Sequence, residues 1–207
     1  VFGERIYSIK KFNFDYFSLD GSSQLIAKTG YSRIGGFEIY LSRPELGSSL
    51  WETILEAGRS ENIRPGSPNI IDRVEAGLLS YGNEMTVENT PLECNMDKFL
   101  DINKEPDYIG KKVLQRQIRY GIKRRIRGVI YNGPKLPTIS RPLQVFDIDK
   151  RTIVGSLTSG AFSPHFKRNI GVGMVKYGYW DNNKKILVNI ADQEFREGLI
   201  KDLPLIQ

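Results

Sequence analysis

Hydrophobic and polar positions along the chain follow three successive patterns. Over the first forty or so residues they alternate in short runs rich in β-branched and aromatic side chains. This predicts strands at Glu4–Ile9, Asp15–Ser18, Gln24–Lys28 and Phe37–Leu41, separated by the turn formers Asp20-Gly21-Ser22-Ser23 and Gly35-Gly36. Antiparallel pairing is expected. The spacing then turns helical. Leu46, Leu50, Ile54 and Leu55 predict a helix over Pro44–Ala57, with Ser42 as cap, Pro44 in the first turn and Gly58 as its stop. Ser67-Pro68 predicts a second start, with Ile71, Val74 and Leu78 on one side and Gly77 and Gly82 bracketing its end. A third helix is predicted over Tyr108–Tyr120, capped by Asp107 and followed by Gly121.

After Gly121 the period becomes two and stays there. Candidate strands are Arg125–Tyr131, Leu143–Asp147, Thr152–Ser159, Ile170–Lys176 and Lys185–Ile190. Short strands at regular spacing with polar, Gly or Pro turns indicate a small β-barrel or sandwich. The expected fold class is α+β: an antiparallel sheet with helices over residues 1–120, followed by a small C-terminal β-barrel over residues 121–207.

Composition narrows the chemistry. No apolar run approaches the roughly 18 residues that span a bilayer, so no membrane partner is expected. The chain does not begin with Met, and charges interrupt its start where a secretory leader needs an apolar stretch. A cytoplasmic protein whose beginning lies upstream is the expectation. Cys94 and His165 are the sole cysteine and histidine, too few for a multi-cysteine or His-rich metal site, so no metal is expected. No phosphate-cradling glycine loop or nucleophile elbow is present.

The net charge is +6, and its excess is concentrated in Lys111–Arg127, which holds eight Lys or Arg and no acid. Such a run is either a solvated helix face or an anion site, for a polyglutamate tail or for nucleic acid. The chain carries no recognisable nucleic-acid-binding motif, so no nucleic acid is expected as partner.

The segment Tyr31–Tyr40 carries more specific chemistry. A strand follows Gly35-Gly36, where backbone can approach a flat ligand. Glu38 and Tyr40 are two apart and share one sheet face. A carboxylate there suits a ligand that presents adjacent N–H donors, as the amino-pyrimidinone edge of a pterin does. The plainer alternative is a surface ion pair between Glu38 and an arginine.

Five segments, in order, resemble the signatures of the aminomethyltransferase (glycine-cleavage T-protein) family. Thr29-Gly30-Tyr31-Ser32-Arg33-Ile34-Gly35-Gly36-Phe37-Glu38-Ile39 resembles R-T-G-Y-T-G-E-x-G-F-E-I. Arg73-Val74-Glu75-Ala76-Gly77-Leu78-Leu79-Ser80-Tyr81-Gly82-Asn83-Glu84 resembles R-L-E-A-G-x-x-L-Y-G-x-E. Thr90-Pro91-Leu92-Glu93 matches T-P-x-E, Tyr108-Ile109-Gly110-Lys111 matches F-I-G-[KR], and Gly155 to Pro164 matches G-x-x-T-S-G-x-F-S-P. Within the family, Pro68 to Glu75, Gly77 to Met85, Ser163 to Asn169 and Tyr179-Trp180-Asp181 look like the dimethylsulfoniopropionate demethylase branch. Asn69 stands where glycine-cleavage members carry an arginine that helps hold folate.

The resemblance implies tetrahydrofolate as the one-carbon acceptor and a small-molecule sulfonium as the methyl donor, giving methylmercaptopropionate and 5-methyltetrahydrofolate. By position, Glu38 is expected at the pterin edge and Tyr31 in the same pocket, with Tyr40 on the same strand. Tyr31 stands where the branch tends to carry tryptophan, and it still presents a π face. No residue is assigned a catalytic role. The family's folate-chemistry aspartate has no match in residues 1–30, so the chain by itself is expected neither to demethylate nor to bind folate tightly. The alternatives are a glycine-cleavage-type aminomethyltransferase and a non-catalytic folate-binding relative; a homodimer is left open.

Overall fold

Leu19 and Ser22 face each other across a two-residue turn in which Asp20 and Gly21 both take positive φ, 48° and 73°. That is the mirror-image turn that matches strand twist, and Asp-Gly is its preferred sequence. It joins β1 (Phe14–Leu19) to β2 (Ser22–Ala27), and β3 (Glu38–Tyr40) completes an antiparallel sheet in the order β1-β2-β3. The computed structural model describes residues 1–31, 35–66 and 69–206. They form two compact units, Val1–Asn69 and Ile70–Gln207.

In the first unit one sheet face is covered. Phe17 and Ile26 pack with Ile9, Ile6, Phe37 and Ile39. Leu19 packs with Leu46 and Leu50 of the helical segment, backed by Leu41 and Ile54. Gln24 is buried on this face, where its Oε1 accepts the Ser42 N–H at 2.8 Å. The expected strand Glu4–Ile9 is instead a 3-10 helix, Glu4–Ser8. Ile6 and Ile9 both meet the core, and their spacing of three fits that helix rather than a pleat. The expected helix Pro44–Ala57 is a 3-10 turn, Pro44–Leu46, leading into α1 (Gly47–Ala57). The residue ahead of that turn is Arg43, with no side-chain cap, so Ser42 does not cap it.

The second unit is built on a closed antiparallel barrel in the order β4-β7-β6-β5-β8-β9. Its strands are β4 (Arg124–Tyr131), β5 (Leu143–Phe146), β6 (Ile153–Ser163), β7 (Arg168–Lys176), β8 (Lys185–Ala191) and β9 (Glu194–Lys201). Closure leaves no open edge and decides for a barrel over a sandwich. The barrel interior is filled by buried side chains, among them Val129, Tyr131, Val145, Leu157, Ile186 and Ile200. Burial pushes the Tyr131 phenol up to about 12.

Outside the barrel lie α2 (Ile70–Glu75) and α3 (Lys111–Tyr120). Val74 of α2 and Cys94 pack with Ile126, Ile170 and Val172 on the outer faces of β4 and β7. The residues after β9 close over the same core. Gly128 admits them, because a Cβ there would lie 2.5 Å from Leu205 Cδ2. The expected division into 1–120 and 121–207 follows the change in secondary structure; the compact units divide at Asn69/Ile70, with residues between Ile70 and Met96 packing on the barrel's outer face. The expected helix start at Ser67-Pro68 lies outside the described residues, and α2 begins at Ile70. The third helix begins three residues later than expected. Gly110, at φ 90°, is its N-cap, while the Asp107 carboxylate accepts the N–H of Tyr108.

Candidate functional site

The three-stranded sheet has a second face, and that face is open. Register places Phe14, Ala27 and Glu38 in one cross-strand row and Tyr16, Leu25 and Tyr40 in the next. Directly opposed residues share a face, with Cβ atoms about 5 Å apart. Phe14, Tyr16 and Tyr40 are each more than half exposed. The Phe14 and Tyr16 rings meet edge to face with centroids 6.0 Å apart. The result is an aromatic shelf with one carboxylate, Glu38, at its end.

Glu38 is held by a local partner. The hydroxyl of Thr29 donates to its Oε2. The carboxylate oxygens keep further lone pairs for a ligand's paired N–H donors. Among the described residues no arginine lies within ion-pair distance of Glu38; Arg33 of the same segment lies outside the described residues. Sequence reasoning placed Glu38 and Tyr40 together, and the structure sets both on this shelf. Tyr31 is 47% exposed in the loop that leaves β2. Residues 32–34 of the same signature lie outside the described residues. Phe14 and Tyr16 share this face with Glu38 and Tyr40 and were not among the residues the sequence singled out. Their signal was the aromatic repeat two apart in Phe14-Asp15-Tyr16, which puts both rings on one face.

Other signatures of the chain do something different. A bulge in β6 between Leu157 and Ser159 shifts the alternation by one residue. Leu157 faces the barrel interior opposite Gly173, whereas Ser159 and Ala161 pair with Val172 and Ile170 and face outward. Arg73 on α2 meets them there. Its Nη2 donates to Ser159 Oγ at 2.6 Å, and its Nη1 donates to Glu84 Oε2 at 2.9 Å and to the Leu78 carbonyl at 2.9 Å. Glu84 is fully buried and also accepts the Ser80 N–H at 2.6 Å. Two residues along α2, Glu75 accepts the hydroxyl of Ser163. Its carbonyl accepts the N–H groups of Leu205 at 2.9 Å and Ile206 at 3.1 Å. Glu93 exchanges hydrogen bonds with Thr90 and takes Arg124 Nε at 3.1 Å. These segments clamp α2, the barrel and the chain's last residues together.

The basic run divides in the same way. Arg124, Arg125 and Arg127 of β4 pair with Glu93, Asp97 and Asp202. Lys112, Arg116 and Arg119 remain exposed along α3 at a spacing of four and three. Three of the run's eight cations are therefore held in ion pairs. Among the described residues no group of three or more His, Cys, Asp or Glu is placed to hold a metal. Among them too, no helix is long and apolar enough to cross a membrane. Burial raises the Cys94 thiol, Glu93 adds to that rise, and Arg124 opposes it.

The chain matches two family models, the GCVT N-terminal domain over residues 5–104 and the glycine cleavage T-protein C-terminal barrel domain over residues 124–203. It is 41% identical to the dimethylsulfoniopropionate demethylase DmdA of Ruegeria pomeroyi over 180 residues, 87% of this chain and 48% of that protein. It is 36% identical to an aminomethyltransferase of Caldanaerobacter subterraneus subsp. tengcongensis over 200 residues, 95% of this chain and 52% of that protein. The crystal structure of the glycine cleavage system aminomethyltransferase T from Bartonella henselae shares the fold. Its TM-score is 0.80 at 21% identity, covering 97% of this chain and 54% of that one. The chain spans about half the length of the curated relatives it matches. By its two domains and these likenesses, the chain belongs to the aminomethyltransferase (glycine-cleavage T-protein) family.

Proposed function

We propose that this chain, within a polypeptide of its relatives' length, takes part in tetrahydrofolate-dependent methyl transfer from dimethylsulfoniopropionate, giving methylmercaptopropionate and 5-methyltetrahydrofolate. One observation carries the reading: Glu38, oriented by Thr29, ends an open shelf that bears Phe14, Tyr16 and Tyr40. A pterin is flat and presents adjacent N–H donors along one edge. The shelf offers π faces for the rings, and Glu38 offers a bidentate acceptor for the edge. Tyr31, on the same signature, is assigned to the same ligand. Tetrahydrofolate, when bound, supplies the nucleophilic N5.

A sulfonium is already an activated methyl donor, so the protein's contribution is alignment and exclusion of water. Glu38 and Thr29 fix the ring's rotation in its own plane. The aromatic side chains set its tilt and keep one of its faces dry. An aromatic face also attracts the sulfonium cation. No proton transfer is assigned to a side chain of this chain.

Likeness to the demethylase favours the sulfonium donor over an aminomethyl carrier. Asn69, where glycine-cleavage members carry arginine, favours it too. The test is an assay of the protein at its relatives' length with tetrahydrofolate and dimethylsulfoniopropionate. Formation of both products, lost or sharply reduced in Glu38→Ala, supports the proposal. No product from the sulfonium, but one-carbon transfer from an aminomethyl-lipoyl carrier protein, assigns the chain to the glycine-cleavage reaction. Folate binding with neither turnover leaves a non-catalytic folate binder.

A further inference from the structure

The outer face of the barrel is covered on one side and bare on the other. Over β6, β7 and the outward residues Ile126 to Ile130 of β4 it is covered by α2 and by Leu203 and Leu205. Across β8 and β9 no helix or strand among the described residues of the second unit lies on it, and Ile130 of β4 stands at the border, packed against the covered side. There a groove of about 650 Å³ opens, within the usual range for small-molecule sites. Its floor is apolar. Register puts Lys185, Leu199 and Ile130 in one row across the three strands, with Leu187 beside it on β8. Leu187 is buried, and Leu199 and Ile130 are half-buried. The exposed Ile148, in the turn between β5 and β6, forms one wall, and Phe166 forms the opposite one.

The rim is cationic. Lys150, Arg168, Lys185 and Lys201 line it against a single carboxylate, Glu197. Among the described residues none of these four cations forms an ion pair. Three are steadied by neutral partners. Lys150 sits 5.9 Å over the Phe195 ring, Arg168 donates to the Asn132 side chain, and Lys201 donates to Asn183 Oδ1 at 2.5 Å. An apolar floor excludes a fully hydrated ion as the fitting ligand, and a rim of four cations with one carboxylate disfavours a cationic or neutral one.

We propose that this groove binds an amphipathic organic anion, with its charged head at Lys185 and Lys150 and its apolar body over Leu199 and Ile130. Three strands span two interstrand spacings, about 10 Å. That is the extended length of about eight carbons, so a medium-chain carboxylate matches the floor from its cationic end to Ile130. The site is formed by barrel residues alone and does not depend on the folate reading of the sheet shelf.

Octanoate is the probe, with octyltrimethylammonium as a cation of the same chain length. The full chain would be titrated with each by calorimetry, and amide shifts would locate the site. Octanoate is expected to bind one to one, at least about tenfold tighter than the ammonium, with shifts at Ile130, Leu187 and Leu199. Raising salt should weaken it. The double variant Lys150→Glu/Lys185→Glu changes two rim positions outside the core. It is expected to keep the barrel's circular dichroism and to weaken octanoate about tenfold or more. Equal binding of both probes, shifts elsewhere, or affinity unchanged by the charge reversal would each overturn the assignment. So would a dimer in sedimentation that the same variant dissociates and octanoate does not, since the face would then belong to a second copy.

Discussion

Arg73 on α2 reaches Ser159 on β6 across a separation of 86 residues, with Nη2 2.6 Å from the serine hydroxyl. The same guanidinium holds Glu84, and both side chains are out of water. A buried cation that loses its carboxylate is left uncompensated, which costs about 3–5 kcal/mol. Glu84→Ala should therefore destabilise the second unit by about that amount. Ser159→Ala, which removes one hydrogen bond to a charged group, should cost about 1.5–3 kcal/mol. The effects should be non-additive, because all three residues form one network. Urea unfolding of the two single variants and the double variant measures this; additive, small losses would show the clamp to be unimportant.

That network also marks the limit of what could be read in the chain. Arg73, Glu75, Glu84, Ser159 and Ser163 were visible as signature letters, but letters do not say whether a residue meets a ligand or another part of the chain. The answer depends on a one-residue bulge after Leu157, which no periodicity reveals in advance. The barrel strands were legible because each carries a run of period two. The exception was β9: charges at Glu194, Arg196 and Glu197 mask its alternation. The strand expected at Glu4–Ile9 failed because six residues with two apolar anchors three apart fit two patterns, and the core selected the helical one. At the sheet shelf the pairing of Glu38 with Tyr40 followed from strand geometry. That Phe14 and Tyr16 share a face followed from their spacing; that they share it with Glu38 needed the register through β2, which is a long-range property.

Glu38 and Thr29 give a prediction specific to ligand geometry. In the protein at its relatives' length, Glu38→Gln replaces one acceptor oxygen by a donor amide and removes the charge. The apparent affinity for tetrahydrofolate should fall about 10- to 100-fold, the range for a hydrogen bond to a charged group. Thr29→Val leaves the charge and removes the orienting hydroxyl, so its effect should be smaller. Tyr40→Phe should be close to neutral if the ring face alone is used. Folate titrations of the three variants would rank them; a stronger effect from Thr29 than from Glu38 would place the ligand elsewhere.

Cys94 should behave as a core atom rather than as a reagent. It is buried, and burial raises its thiol, with Glu93 adding and Arg124 opposing. The thiolate is the reactive form, so modification at pH 8 should be slow in the folded chain and fast in denaturant. Arg124→Ala removes the one influence that lowers the value, so it should slow the folded-state reaction further at a given pH, provided the barrel stays intact. Ellman's reagent with and without urea gives both rates. Fast labelling of the native chain would mean that the packing around Val74, Ile126 and Ile170 opens readily.

Tyr131 predicts how the barrel fails in alkali. Its folded value stands at about 12, raised by burial from the usual value near 10. The protonated phenol is the form that the folded barrel favours. This contribution is fully present below pH 10 and is lost as pH rises from about 10 to about 12. Within that window the unfolded chain has released the proton and the folded chain has kept it, so stability should fall by about 1.4 kcal/mol per pH unit from this residue alone. Tyr131→Phe keeps the ring and removes the titration. Urea midpoints measured from pH 9 to 11.5 should slope less steeply in the variant than in the parent chain. Parallel slopes would mean that the phenol titrates alike in the folded and unfolded chain, contrary to its burial among Val129, Ile186 and Ile200.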